Sequence, residues 1–137
     1  MARIPDRVFV DRRTIFRGGS SGPLDVRYSV PVGSYAELIN GEIMNGDTAA
    51  RNVNGSYLDA SGNRVFYTNW SSLNPGAQAN LLNNASSAAS ARNSFLPIYG
   101  GHSIRLRCES VSANEDATFA ALFRYAGFPP TVTEVNA

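Results

Sequence analysis

Ile104, Leu106 and Cys108 alternate with Arg105, Arg107 and Glu109, and Phe119, Ala121, Phe123 and Tyr125 alternate with Thr118, Ala120, Leu122 and Arg124. A period of two puts successive side chains on opposite faces, so each run reads as a β-strand with one buried face. The linker SVSANED holds the turn formers Ser112, Asn114 and Asp116, and a hairpin is expected there.

The same reading extends upstream. In VRYSVPV, Val26, Tyr28, Val30 and Val32 fall on one side and Arg27, Ser29 and Pro31 on the other, and Pro31 marks a strand edge or end. AELINGEIMNG is ambiguous, because Leu38, Ile39 and Ile43 suit a short helix, whereas Asn40-Gly41 and Asn45-Gly46 are hairpin turn signals favouring short strands. Tyr57-Leu58 and Val65-Phe66-Tyr67 flank Ala60-Ser61-Gly62-Asn63 and predict a β-hairpin. Around Asn74 and Pro75, a cap and first turn could open a short helix with Leu81, Ala85 and Ala89 on one stripe, and a long loop fits almost as well. Pro129-Pro130 is expected to end regular structure before a short polar tail.

Short β-runs separated by turn residues, in a chain of 137 residues, point to one all-β domain of the β-sandwich or jelly-roll kind. The chain divides into an extended N-terminal arm with a glycine/serine hinge, residues 1–22, and a sandwich body, residues 23–137. The hinge is Gly18-Gly19-Ser20-Ser21-Gly22. Before it, five arginines (Arg3, Arg7, Arg12, Arg13, Arg17) stand against two aspartates, interleaved with Val8, Phe9, Val10, Ile15 and Phe16. That mixture suits a partner surface both apolar and acidic, since phosphate binding needs charge alone. These ten residues are the candidate docking set.

Chemistry is sparse by comparison. A net charge of +1 gives no global field for nucleic acid, so nucleic acid is not expected as a partner. All 12 basic residues are arginine, whose planar donors suit protein interfaces. One cysteine, Cys108, excludes an internal disulfide, and with a single histidine it argues against structural zinc. No long apolar run predicts a membrane span or secretory signal. His102 could act as a base toward Ser103, but a turn residue is the simpler reading. Asp59, Ser61 and Asn63 are spaced like calcium ligands but lack the glycine and distal glutamate of an EF-hand, so a plain turn is expected. No phosphate-binding glycine motif occurs, and neither an enzyme nor a cofactor is expected.

An extended N-terminal segment, loops rich in Asn, Ser, Ala and Gly, and the closing pattern IYGGHSIRLRCES…ATFAALFRYAG resemble small accessory proteins of tailed-bacteriophage virions, especially capsid decoration or cement proteins. The resemblance implies a structural virion protein assembled in the host cytoplasm and seated on the capsid surface. It also implies a homotrimer whose partner is the major capsid protein or another virion protein, with avidity from linked copies. Trp70, Tyr57 and Tyr67 could serve a subunit interface. An alternative is a receptor- or glycan-binding module of a head or tail fibre, in which those three aromatics stack on sugar and Asn side chains bind hydroxyls.

Overall fold

In the computed structural model the residues described are 4–82 and 95–135. Among them there is no helix, and ten strands form two five-stranded sheets packed as a sandwich. The first sheet contains β1 (Arg7–Phe16), β9 (Asp116–Ala126) and β3 (Tyr35–Asn45), in that order. The far edge of β3 is shared by β6 (Gln78–Asn80) and β7 (Leu96–Tyr99). The second sheet runs β10 (Thr131–Val135), β2 (Gly22–Ser29), β8 (Ser103–Val111), β4 (Arg51–Leu58) and β5 (Arg64–Leu73). All pairings are antiparallel.

The alternation in β8 and β9 buries what it predicted. Ile104, Leu106 and Cys108 of one sheet and Ala117, Phe119, Ala121 and Phe123 of the other are buried, and each strand is central in its sheet. Leu24, Val26 and Tyr28 of β2 join them, with the Tyr28 and Phe123 rings 5.4 Å apart. Interdigitating inner faces of this kind make the core of a sandwich.

Several details depart from expectation. The β8–β9 linker is not a hairpin: the two strands belong to different sheets, and the chain crosses the core between them. Alternation reports which face is buried, and two strands facing each other across a core carry the same pattern as two strands side by side. AELINGEIMN is one strand rather than several short ones. A bulge at Ile39, between Leu38 and Asn40 in the register, moves the buried positions from Ala36 and Leu38 to Gly41, Ile43 and Asn45. That phase shift breaks the period in the sequence.

β2 ends at Ser29, before Pro31. Ser34 N–H donates to Pro31 O at 3.0 Å with Gly33 at φ 87°, so Val32 occupies a turn and is 85% exposed rather than in the core. The segment after Pro130 is not a loose tail but β10, paired with β2.

The β4–β5 hairpin is as expected. Its turn is held by Asp59 Oδ1, which accepts from Ser61 N–H and Asn63 N–H at 2.9 Å each, with Gly62 at φ 84°. That occupies the carboxylate in an ordinary Asx turn. Asn74 and Pro75 open a β-turn closed by Ala77 N–H to Asn74 O at 3.0 Å, with Gly76 at φ 79°. Pro at the second and Gly at the third position are what a type II turn requires. Leu81 is buried against Gly55, while Ala85 and Ala89 of the suggested helix lie outside the described residues.

Candidate docking surface

The N-terminal segment is extended, as the sequence predicts, but it is a strand of the body's own sheet rather than a projecting arm. Arg7 through Phe16 pair residue for residue with Tyr125 through Asp116 of β9. The apolar residues on one side of β1 therefore find their burial at home. Ile15 is 5% exposed, and Phe9 packs on the core with its ring 6.0 Å from Phe123.

The polar residues on that inner side tie the two sheets together. Asp11 Oδ1 and Oδ2 accept from Arg13 at 2.8 and 2.9 Å. Arg13 reaches on to Glu134 of β10 at 2.6 Å, and the Tyr28 hydroxyl donates to Asp11 at 2.8 Å. Burial works against the Asp11 charge, but hydrogen bonds from Arg13 and Tyr28 outweigh it and hold the carboxyl below its ordinary pKa. This clasp closes the side of the sandwich where β1 and β10 are the sheet edges.

Arg17 is also committed. It is 7% exposed, and its guanidinium donates to the carbonyls of Ser20, Pro23 and Ser21 at 3.1, 3.2 and 3.3 Å. Arg17 N–H donates to Glu115 O, and Asn114 N–H to Gly18 O. The glycine/serine segment read as a hinge is thereby held as a connection between sheets.

What remains outward is one stripe. Val8, Val10 and Phe16 are 62%, 68% and 61% exposed on the outer face of β1, where exposed Arg12 and Thr14 separate Phe16 from the two valines. Across the strand pair, Val8 faces Arg124, Val10 faces Leu122, Arg12 faces Ala120 and Phe16 faces Asp116. Arg124 is held by Glu37 at 3.1 Å. Beside the stripe, Arg12, Glu42, Met44, Gln78, Thr118 and Ala120 line a shallow depression. Of the ten candidates, Val8, Val10, Arg12 and Phe16 thus form one surface, with Arg7 exposed at its entry. Phe9, Arg13, Ile15 and Arg17 serve the fold, and Arg3 lies outside the described residues.

Of the three aromatics offered for glycan stacking, only Tyr67 is open, at 44% exposure. Tyr57 is buried and stacked on Phe66 at 5.3 Å, and Trp70 is half-buried, packing one side on the core while lining a surface depression with Asn69, Ser71 and Asn74. His102 Nδ1 shares a 2.8 Å hydrogen bond with the Tyr57 hydroxyl, which also accepts from Tyr99 N–H at 3.3 Å. No hydrogen bond joins His102 to Ser103 among the described residues. No group of three or more His, Cys, Asp or Glu that could hold a metal occurs among the described residues.

Sequence reasoning missed two exposed apolar groups. Val32, Tyr99 and Phe128 stand 85%, 58% and 70% exposed in or beside loops joined by Phe128 N–H to Ser34 Oγ and Gly101 N–H to Val30 O. Val65 and Phe66 are 60% and 39% exposed beside Tyr67 on β5. Three consecutive apolar residues without alternation were the only sign of the latter.

No protein-family model matches the sequence, and no curated protein matches it. Among solved structures, the VP2 subviral particle of infectious bursal disease virus is similar at 10% identity over 90% of this chain, with a TM-score of 0.29. The chain spans 42% of that protein's length, and a likeness at this level carries no argument about function.

Proposed function

We propose that the chain is a non-catalytic structural protein of a virion that decorates the capsid, gripping the shell through the outer face of β1. The observation that carries this reading is the stripe of Val8, Val10 and Phe16, each more than 60% exposed, on a strand whose other side is already satisfied by its own core. Val8 and Val10 are adjacent on that face and Leu122 lies across from Val10, so this end of the stripe is an exposed apolar patch, and such patches mark interaction sites. Arg12 in the stripe and Arg7 at its entry supply planar donors for carboxylates on the partner. The virion setting rests on the resemblance to decoration proteins. The glycan-binding alternative loses Tyr57, which is buried and stacked on Phe66.

The test is co-sedimentation with shells assembled from the particle's own major capsid protein. Val8→Asp with Val10→Asp should leave the sandwich folded and weaken binding by at least about tenfold, equivalent to 1.4 kcal/mol. Unchanged binding by the folded double variant would contradict the proposal.

A further inference from the structure

Val26, Tyr28, Ile104 and Leu106 turn into the core, so Arg27 of β2 and Arg105 of β8 stand on the outer face of the β10-β2-β8-β4-β5 sheet. Directly paired residues share a face, and one row across this sheet runs through Thr133, Arg27, Arg105, Ser56 and Tyr67. Two arginines thus lie opposite each other, which destabilises a strand pair unless a counter-charge joins them. The neighbouring carboxylates are spent elsewhere: Arg107 holds Asp25 at 2.8 Å and Glu109 at 3.0 Å. Among the described residues no side-chain hydrogen bond or ion pair reaches Arg27 or Arg105. At the end of the row the Arg64 guanidinium lies 4.3 Å from the centre of the Tyr67 ring.

A second, independent observation falls on the same face. Among the described residues, three buried side-chain polar atoms lack a hydrogen-bond partner: Arg105 Nε, Ser56 Oγ and, one row away, Asn54 Oδ1. Ser56 is 0% exposed. Buried polar groups are nearly always paired, so a donor cluster left unpaired beside two uncompensated arginines is built for an acceptor.

We propose that this face binds a doubly charged phosphate group, free or carried as a monoester, between Arg27 and Arg105 with the Ser56 hydroxyl as a further donor. Charge selects the class. Two facing guanidiniums call for two negative charges in one small group, and a phosphomonoester carries about −1.5 to −2 at pH 7. A carboxylate or a phosphodiester brings one charge and leaves an arginine uncompensated. The planar donors of arginine match phosphate oxygens, and a tetrahedral group has oxygens to spare for Ser56. The site lies on the opposite sheet from the β1 stripe and does not depend on it.

Calorimetric titration of the chain at constant ionic strength and neutral pH tests this, with inorganic phosphate, phenyl phosphate and acetate as probes. Both phosphate probes should bind one per chain and raise the thermal midpoint, and acetate should do neither. Tighter binding of phenyl phosphate assigns the ester, and inorganic phosphate binding at least as tightly assigns the free ion. Arg27→Gln and Arg105→Gln should each weaken binding by at least about tenfold with circular dichroism unchanged. Should one of them not fold, the other gives the same readout. Arg124→Gln, which removes the same charge from the other sheet, should leave the affinity as it was. No binding of either phosphate probe, acetate binding as tightly, a folded Arg27→Gln or Arg105→Gln variant of unchanged affinity, or an equal loss in Arg124→Gln would each overturn the proposal.

Discussion

Tyr28 donates its hydroxyl to Asp11 Oδ2 at 2.8 Å, linking β2 of one sheet to β1 of the other. Burial first, and then the Asp11 hydrogen bond, push the Tyr28 phenol well above its ordinary pKa, so it serves as a donor throughout the physiological range. Removing either partner has unequal consequences. Tyr28→Phe deletes one hydrogen bond and leaves Asp11 with Arg13, at a cost of about 1 kcal/mol. Asp11→Ala leaves a buried hydroxyl without its acceptor, at about 1–3 kcal/mol. Urea unfolding of the two variants should rank them in that order.

Asp47 sits between β3 and β4 and is 3% exposed. It accepts from Thr48 N–H, Arg51 Nε, Ser112 N–H and Ser112 Oγ. Burial opposes its charge, but these donors together hold its pKa well below the ordinary carboxylate value. The folded state therefore holds the proton less tightly than the unfolded state. The stabilisation is complete above the unfolded pKa of about 3.9 and is lost as pH falls through the folded value. Stability should decline from about pH 4 downward, and Asp47→Asn should flatten that decline in denaturant titrations run at successive pH values.

Cys108 is 0% exposed in β8, and burial, followed by the Asp47 charge, pushes its thiol up to about 12. A thiol held neutral and covered is a poor nucleophile. A disulfide reagent at mildly alkaline pH should find no reactive thiol in the folded chain and one per chain in denaturant. Because the folded pKa is raised, this group's contribution to stability is full below the unfolded thiol value of about 8.5 and is lost as pH climbs toward the folded value.

Phe123 touches both Tyr28 and Phe9 and is 0% exposed. Phe123→Ala should cost about 3–5 kcal/mol through the lost transfer energy and the cavity it leaves. A cost under about 1 kcal/mol in chemical denaturation would mean that this side chain does not anchor the core.

Deleting residues 1–17 should abolish cooperative unfolding, because it removes an edge strand, buried Ile15 and the whole Asp11–Arg13 clasp. A sharp thermal transition retained by the truncated chain would show β1 to be dispensable to the fold.

This strand also shows where sequence reading stops. Its two-residue period is plain, but it carries apolar residues on both faces, and Asp11 and Arg13 lie on the inner one. Their partners, Tyr28 and Glu134, are 17 and 121 residues away, from Asp11 and Arg13 respectively. Asp11 and Arg13 pair with each other two residues apart, but nothing local marks the contacts to Tyr28 and Glu134 that anchor them to the second sheet, so the segment reads as an arm in need of a partner. The β4–β5 hairpin, by contrast, is written in adjacent residues, and so is the buried face of β8. Strand partnership is not: the β8–β9 crossing and the bulge at Ile39 depend on which sheet each strand joins. Of the docking set, sequence alone supplied the members but could not separate Val8, Val10, Arg12 and Phe16 from their inward neighbours until the strand had a register.

The outer β1 stripe is tested most directly by hydrogen exchange of the chain free and bound to capsid shells. Binding should slow exchange in Arg7–Phe16 and in the facing part of β9, while β2 and β8 exchange as before. Slowed exchange confined to the Val32, Tyr99 and Phe128 loops or to β5, with Arg7–Phe16 unchanged, would contradict it.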